Sequence, residues 1–189
     1  MAHRRLINRD YKKPGFYFVT INTSSRIEYF SEIKNGSLYL SGIGEIANYC
    51  WTQIPNHFEN ARIHEFIIMP DHIHGIIELI PDSSPVTCSP VACNGATCNR
   101  AANLHKSESI ATFQTGSPEW YSSISPKSGS LSTIIRSYKS AVTRIANLSF
   151  KEIHFGWQAS FYDRIIRNKE EFNRIKWYIN RNPLNWKEE

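Results

Sequence analysis

The chain reads IHEFIIMPDHIHGIIELI from residue 63 to residue 80. Two apolar runs, 63–69 and 72–80, are separated here only by Pro70 and Asp71. A Pro-Asp pair between two such runs is typical of a tight turn. The segment therefore predicts an antiparallel β-hairpin in the middle of the chain, and the other elements are expected to assemble around it.

Two further strands are predicted from residue type. Residues 16–23 are rich in β-branched and aromatic side chains and follow Pro14-Gly15, so they predict a first strand. Residues 155–167 carry several aromatic and β-branched side chains and predict a last strand.

Three helices are predicted from apolar spacing and from capping residues. Residues 41–54 show helical spacing up to Pro55, and the last helix begins at Asn168 and ends at Pro183. Another helix begins at Ser130, and its predicted buried stripe comprises Leu131, Ile134, Ile135, Tyr138, Val142, Ile145 and Leu148. The order β-α-β-β-(insertion)-α-β-α predicts an α+β fold, an antiparallel sheet with helices packed on it.

Residues 81–128 interrupt this order. The tract is rich in Pro, Ser, Thr and Asn and has no sustained periodicity, so it predicts an irregular insertion within a single domain that spans residues 1–189. Its three cysteines, Cys88, Cys93 and Cys98, recur every five residues, whereas zinc sites usually pair cysteines two to four residues apart. We therefore expect free thiols there, and a small buried side chain at Cys50.

Composition excludes several classes of protein. With 41% hydrophobic and 13% aromatic residues, the chain of 189 residues can build a core and is not of the disordered type. No apolar stretch approaches the length of a membrane span, and no apolar segment follows Arg4 and Arg5 as a secretory signal requires. A cytoplasmic protein without a membrane partner is expected. The net charge of +5 favours a polyanionic partner.

His72 and His74 are the first candidate site residues. Alternate residues of a strand share a face, so both imidazoles are expected to point the same way at a Cα separation of roughly 6.6 Å, close enough to hold one metal ion. Ile73 then points into the core, and Glu78 lies too far along the strand to be a ligand. Imidazole suits several transition metals, and an added oxygen ligand favours Mg or Mn. The alternative is that both histidines simply occupy the end of a strand.

The last helix carries the second candidate group. Tyr178 and Asn182 are four residues apart and share a helix face, and Arg174 and Arg181 flank the tyrosine at helical spacing. Arginines grip phosphate in a bidentate manner, and a hydroxyl so placed could attack phosphorus beside a metal. An apolar stripe of Phe172, Ile175 and Ile179 is expected to dock the helix. The alternative is that Tyr178 is a partly buried aromatic residue of the helix.

These residues resemble a known family. The segment from Met69 to Ile77 is similar to the histidine-hydrophobe-histidine motif of the HUH single-strand nucleases. The residues from Trp157 to Asn168, together with those from Tyr178 to Trp186, resemble the carboxyl-terminal signature of the REP-associated tyrosine transposases. The likeness covers the chain except the tract 81–128, and both motifs occur in the expected order.

The resemblance implies a ferredoxin-like HUH fold and a specific chemistry. A tyrosine, here Tyr178, attacks a phosphate of single-stranded DNA and leaves a 5′-phosphotyrosine and a free 3′-hydroxyl, which can reverse the step without a nucleotide cofactor. The metal histidines of the family correspond to His72 and His74. The third ligand is an amide four residues after the tyrosine, here Asn182, where many relatives carry Gln. The metal is Mg or Mn. Tyr162 is the competing tyrosine, but it lies in a strand pattern without a paired amide.

A transposase of this kind has single-stranded or hairpin DNA as its partner and acts as a monomer or a homodimer. The basic residues that could contact DNA form an amino-terminal arm and a face of the second long helix: Arg4, Arg5, Arg9, Lys12 and Lys13 in the arm, and Arg136, Lys139 and Arg144 on the helix. Aromatic residues that could stack on unpaired bases are Tyr11, Trp120 and Tyr121. Two alternatives remain, a replication or mobilisation nuclease and a hairpin-binding protein that does not cut.

Overall fold

The computed structural model describes residues 13–81 and 129–186, and all of them belong to one compact unit. The strands are β1 (Gly15–Asn22), β2 (Ser31–Lys34), β3 (Ser37–Leu40), β4 (Ala61–Ile68), β5 (His72–Leu79) and β6 (Tyr162–Ile166). The helices are α1 (Gly42–Thr52), α2 (Ile54–His57), α3 (Leu131–Ser149) and α4 (Lys169–Arg181), and 3-10 turns lie at Ser24–Arg26 and Asn182–Asn185.

Four strands form one antiparallel sheet in the order β4-β5-β1-β6. The predicted hairpin is confirmed as β4 and β5, joined through the turn at Pro70-Asp71. Strand β1 lies between β5 and β6, and its Thr20 and Asn22 pair with His74 and His72 of β5. Together with α1 and α3, these four strands give a β-α-β-β-α-β connection of the ferredoxin-like type, as predicted.

One face of the sheet carries the main core. Helices α1 and α3 cover this face, and the Tyr138 hydroxyl links them by donating to the Ala47 carbonyl at 3.1 Å. Ile73 and Cys50 are buried there, as predicted. The stripe predicted for α3 is confirmed as far as Val142, with Ile145 half-buried, but Leu148 at the end of the helix is exposed, so its place in the stripe was wrong.

The opposite face of the sheet carries helix α4 on a smaller apolar cluster. Ile175 and Ile179 of the helix pack on Phe18 of β1 and Ile76 of β5, with Phe172 half-buried beside them, as the predicted stripe requires. Because residues alternate along β5, His72, His74 and Glu78 share this face with Ile76. The sheet thus separates the main core from the surface that carries the candidate site residues.

A short hairpin was missed by the sequence reading. Strands β2 and β3 pair around Asn35 and Gly36, whose φ angles of 53° and 73° are both positive. This geometry is that of a type I′ turn, for which Asn-Gly is the preferred sequence. The Asn-Gly pair was therefore the signal that predicts this hairpin.

Two predicted boundaries were also wrong. Within the predicted strand 155–167, only Tyr162–Ile166 is a strand; Phe155 is buried in an irregular segment, and Trp157 forms an isolated bridge with Thr23. The apolar residues there fill the main core from a loop, which residue type alone does not distinguish from a strand. The helix predicted over 41–54 ends at Thr52, and Pro55 lies within the separate short helix α2.

Some predictions lie outside the described residues. They concern the arm residues Arg4, Arg5, Arg9 and Lys12, the insertion beyond Pro81 with Cys88, Cys93 and Cys98, and the stacking candidates Tyr11, Trp120 and Tyr121. Within residues 13–81 and 129–186, none of the helices has the length and apolar composition that crossing a bilayer requires.

Candidate active site

The two histidines of β5 meet beneath helix α4. His72 and His74 are both buried, with 6% of each residue exposed, and their Nε2 atoms lie 3.1 Å apart. Bonds of about 2.0–2.1 Å from two imidazoles to one ion bring the nitrogens to about this separation. The predicted convergence of the imidazoles on one face is confirmed. Glu78, on the same face, pairs with His64 at 3.0 Å instead.

Asp71 fixes the orientation of His72. Its Oδ1 lies 2.5 Å from His72 Nδ1, and because a carboxylate only accepts, Nδ1–H is the donor and the Nε2 lone pair faces His74. Arg26 holds the other carboxylate oxygen through Nε at 2.7 Å. The Asp71 carbonyl accepts from the hydroxyl of Thr23 at 2.9 Å, which anchors the turn to the end of β1. A carboxylate behind a histidine is the usual support of a metal-binding imidazole.

His74 is held from two sides. Its Nδ1 lies 2.8 Å from Thr20 Oγ1, and its ring stacks on Phe18 at a centroid distance of 5.3 Å. Burial is the main cause that lowers the pKa of His74 to about 3, and the neighbouring His72 and Arg26 add to this effect while Asp71 opposes it. Near neutral pH the imidazole is therefore uncharged and carries a free lone pair, the form that binds a cation.

The Tyr178 hydroxyl lies next to the two histidines. The Tyr178 Oη atom lies 3.3 Å from His74 Nε2, and the tyrosine ring meets the Phe18 ring edge-on. The residue as a whole is 43% exposed. Helix α4 reaches this position from its N-cap Asn168, whose side chain accepts from the backbone N–H of Glu171 at 2.8 Å. The predicted offset of Tyr178 from the docking stripe is confirmed.

Asn182 lies in the sequence between two residues that contact the histidines His72 and His74. Tyr178, four residues earlier, contacts His74, and the Trp186 ring, four residues later, is 5.9 Å from the His72 ring. Asn182 itself is buried, and its Nδ2 atom has no hydrogen-bond partner among the described residues. The two ends of an amide have nearly the same shape, and a rotated amide presents an oxygen, a ligand that Mg and Mn accept.

The two imidazoles present a donor pair that fits a divalent cation. No group of three His, Cys, Asp or Glu side chains that could hold a metal occurs in the part of the chain that the structure describes. The facing Nε2 atoms of His72 and His74 nevertheless have the separation expected of two imidazole ligands on one ion, and the buried Asn182 Nδ2 has no hydrogen-bond partner among the described residues. The third ligand from the protein would then be Asn182.

The arginines predicted around Tyr178 occupy different positions. Arg174 lines a cavity of about 250 Å³ next to Tyr178, whereas the Arg181 guanidinium lies over the Trp177 ring, 4.9 Å from its centroid. A second arginine in the cavity wall is Arg164 of β6, which the sequence reading missed. Arg164 was missed because it belongs to β6 whereas Arg174 belongs to α4. No residue spacing within a single element therefore relates the two arginines.

The basic residues of α3 also differ from one another. Arg136 and Arg144 line an open groove of about 470 Å³ on α3. Lys139 is half-buried, and its Nζ donates to the carbonyls of Gln158 and Ala159 at 2.6 and 3.3 Å. Burial also lowers the pKa of Lys139. Its charge thus holds the loop before β6, while the two arginines remain exposed.

Comparison with solved structures identifies the class of fold. The structure of a REP-associated tyrosine transposase bound to a REP hairpin superposes on this chain with a TM-score of 0.55 at 17% identity, covering 97% of this chain and 73% of that one. A putative transposase from Deinococcus radiodurans gives a TM-score of 0.39 at 14% identity, covering 92% and 94%. The antiparallel sheet with its packed helices is the fold of the hairpin-bound transposase.

Comparison of sequences identifies the family. A protein of Haemophilus influenzae, described as uncharacterized, is 33% identical over 190 residues, which span 99% of this chain and 92% of that protein. The chain belongs to the family of this Haemophilus influenzae protein. No family model matches the chain.

Proposed function

We propose that the protein is a transposase of the REP-associated tyrosine type, which nicks and rejoins single-stranded DNA at a hairpin. The observation that carries the proposal is the approach of the Tyr178 hydroxyl to 3.3 Å from His74 Nε2, which in turn lies 3.1 Å from His72 Nε2. The proposed nucleophile, Tyr178, and the two histidines proposed to bind the metal come from distant parts of the chain and lie within contact distance of one another. The transposase fold and the hairpin bound to its solved neighbour support the choice of DNA as partner.

Each group has a separate role in the proposed reaction. The Tyr178 oxygen forms a bond to phosphorus, the bond from phosphorus to the 3′-oxygen breaks, and the phenolic proton is balanced by the proton that the 3′-oxygen gains. A Mg or Mn ion on His72, His74 and Asn182 would neutralise charge on the phosphate oxygens. Arg174, in the cavity wall beside Tyr178, is placed to hold a phosphate oxygen. Reversal by a 3′-hydroxyl releases Tyr178 and rejoins the strand.

The test is covalent capture with labelled DNA. Hairpin oligonucleotides with randomised single-stranded flanks are incubated with the protein and Mn, and labelled protein is resolved under denaturing conditions. Because the 5′-phosphate stays on the tyrosine, a 3′-label should travel with the protein and a 5′-label should be released. EDTA should abolish the adduct.

The matched control is the competing tyrosine. Tyr178→Phe should give no adduct while hairpin affinity stays within about twofold, because the hydroxyl alone is removed. Tyr162→Phe should still form the adduct, because its hydroxyl is not the proposed nucleophile. An adduct in Tyr178→Phe, a 5′-label on the protein, or binding by the parent protein without any adduct would each contradict the proposal, the last in favour of a binding protein that does not cut.

A further inference from the structure

We infer that the cavity beside Tyr178 binds one unpaired base of the DNA strand, adjacent to the phosphate that the tyrosine attacks. This inference rests on the proposed function. The cavity has a volume of about 250 Å³, and its walls come from β1, β6 and α4. The lining residues are Phe18, Tyr162, Arg164, Arg174, Ile175 and Tyr178.

The walls of the cavity combine flat apolar surface with positive charge. Phe18 is almost fully buried beneath His74 and Tyr178, so the accessible aromatic surface comes from the half-buried Tyr162 and from Tyr178, which is 43% exposed. Tyr162 lies on β6, an edge strand of the sheet, where it pairs with Thr20 of β1. An aromatic side chain beside a basic groove is the usual combination for binding single strands, because every base has a face that can stack.

The charges at the cavity favour a phosphodiester. Arg164 and Arg174 converge on Glu171, with N···O distances of 2.6 and 3.8 Å, so two positive charges face one negative charge. The pKa of Glu171 is lowered because its carboxylate accepts from the Arg167 N–H and pairs with both guanidiniums. These three side chains together carry one net positive charge, and the two arginine side chains are 54% and 69% exposed and can reach a phosphate.

The position of the cavity selects an unpaired base next to the reacting phosphate. Tyr178 lines the cavity with its ring while its oxygen approaches His74, and neither His72 nor His74 is among the lining residues. A phosphate at the Tyr178 oxygen thus has the cavity as its immediate neighbour. A base within a duplex is stacked on both faces, so only an unpaired base can turn its face to Tyr162.

The experiment separates the contribution of bases from that of phosphates. In the Tyr178→Phe background, affinity is measured by fluorescence anisotropy for a (dT)20 strand and for an abasic 20-mer with the same phosphates. Tyr162→Leu, which keeps bulk but removes the ring, should weaken binding of (dT)20 by about fivefold or more and change binding of the abasic strand by less than about twofold. Arg174→Ala should weaken binding of both strands.

Two controls and a second measurement make the result decisive. Tyr162→Phe keeps the ring and should recover the preference for (dT)20 over the abasic strand that Tyr162→Leu loses, and Tyr39→Leu, at a tyrosine of β3 that is 58% exposed, should have no effect. Equal weakening of both strands by Tyr162→Leu, or no weakening of either, overturns the inference. Should Tyr162→Leu fail to fold, irradiation of the Tyr178→Phe protein with a bromodeoxyuridine strand should crosslink Tyr162, and the absence of that crosslink overturns the inference. None of these binding measurements requires DNA cleavage. Failure of covalent capture would therefore refute the proposed function, while the binding measurements would still test this inference.

Discussion

Asp71 determines which nitrogen of His72 faces helix α4. The carboxylate is held between His72 Nδ1 and Arg26 Nε, so the His72 ring cannot rotate without breaking a buried, charge-assisted hydrogen bond. The dipeptide Asp71-His72 thus sets which face of the imidazole is available to the proposed metal, in a way that the histidine motif alone does not predict.

Replacing Asp71 by Asn should weaken metal binding. The neutral amide donates as well as accepts, so it no longer enforces a single tautomer of His72, and losses of about 10- to 100-fold in metal affinity are typical for such partners. We expect Asp71→Asn to raise the Mn concentration that gives half-maximal covalent capture by about this factor and to restore the adduct at high Mn. Glu32→Gln, at an exposed ion pair with Lys34, is the control. An unchanged Mn requirement in Asp71→Asn would show that the carboxylate does not support the site.

His74 should make the stability of the protein depend on pH. The pKa of His74 is about 3 in the folded protein, against 6.5 for a histidine in the unfolded chain. Between these two pH values the unfolded chain therefore binds a proton that the folded protein does not. Stability is therefore fully present above pH 6.5 and is lost as the pH falls toward 3. Between pH 7 and pH 5 this residue should lower the free energy of unfolding by about 2 kcal/mol.

Urea unfolding in EDTA at pH 7 and pH 5 measures this effect. His74→Gln keeps a neutral polar side chain but cannot titrate, so its difference between the two pH values should be smaller by about 2 kcal/mol. The same difference in both proteins would mean that His74 is not held neutral by burial.

At the scale of elements, strand β5 owes its position to a close approach on the face opposite the histidines. Gly75, between His74 and Ile76, faces the buried Trp51 of α1. A Cβ at Gly75 would lie 2.9 Å from Trp51 Cη2 and closer still to Cζ2. Only glycine lets the strand rest directly on the indole.

Gly75→Ala should therefore destabilise the fold. Overpacking of a full core costs about 1–3 kcal/mol, and the thermal midpoint should fall accordingly. Gly156→Ala is the control, because its Cβ would be an ordinary 3.7 Å from the nearest side-chain atom, on Ser24. The thermal midpoint is measured by circular dichroism. An unchanged midpoint for Gly75→Ala would mean that Trp51 can shift without loss of stability.

The sequence could predict those features of the site that depend on one element at a time. Alternation along β5 places His72 and His74 together, and helical spacing relates Tyr178 to Asn182. Arg164 and Tyr162 could not be assigned to a cavity, because their place beside Tyr178 depends on the register of β6 against β1. The same limit explains the errors in the strand predicted over 155–167, where a buried loop has the residue types of a strand.

At the scale of the whole molecule, the groove on α3 and the pair of histidines lie on opposite faces of the sheet. Helix α3 packs on the main core, while α4 packs on the smaller cluster beneath Tyr178. Arg136 and Arg144 in that groove therefore lie away from the reacting groups. If they contact DNA, they contribute to holding it and not to the chemical step.

The salt dependence of binding tests this division. Each lost phosphate contact reduces the slope of log affinity against log salt concentration by about 0.7–0.9. The double variant Arg136→Ala with Arg144→Ala should therefore reduce the slope for a hairpin by about 1.5. Covalent capture at saturating DNA should stay unchanged in this variant. Lys34→Ala with Arg62→Ala removes the same charge from β2 and β4 and should leave the slope nearly unchanged. Equal slopes for the two double variants would assign the effect to net charge.

The imidazoles and the phenol belong to segments that the tract 82–128 separates in sequence, residues 13–81 and residues 129–186. The ladder between β1 and β6 and the packing of α1 against α3 hold these segments together. Severing the chain inside the intervening tract would leave each piece without part of the candidate site, so the proposed DNA cutting is expected only where the pieces reassociate. The fold therefore offers a natural division point for a split reporter of molecular proximity.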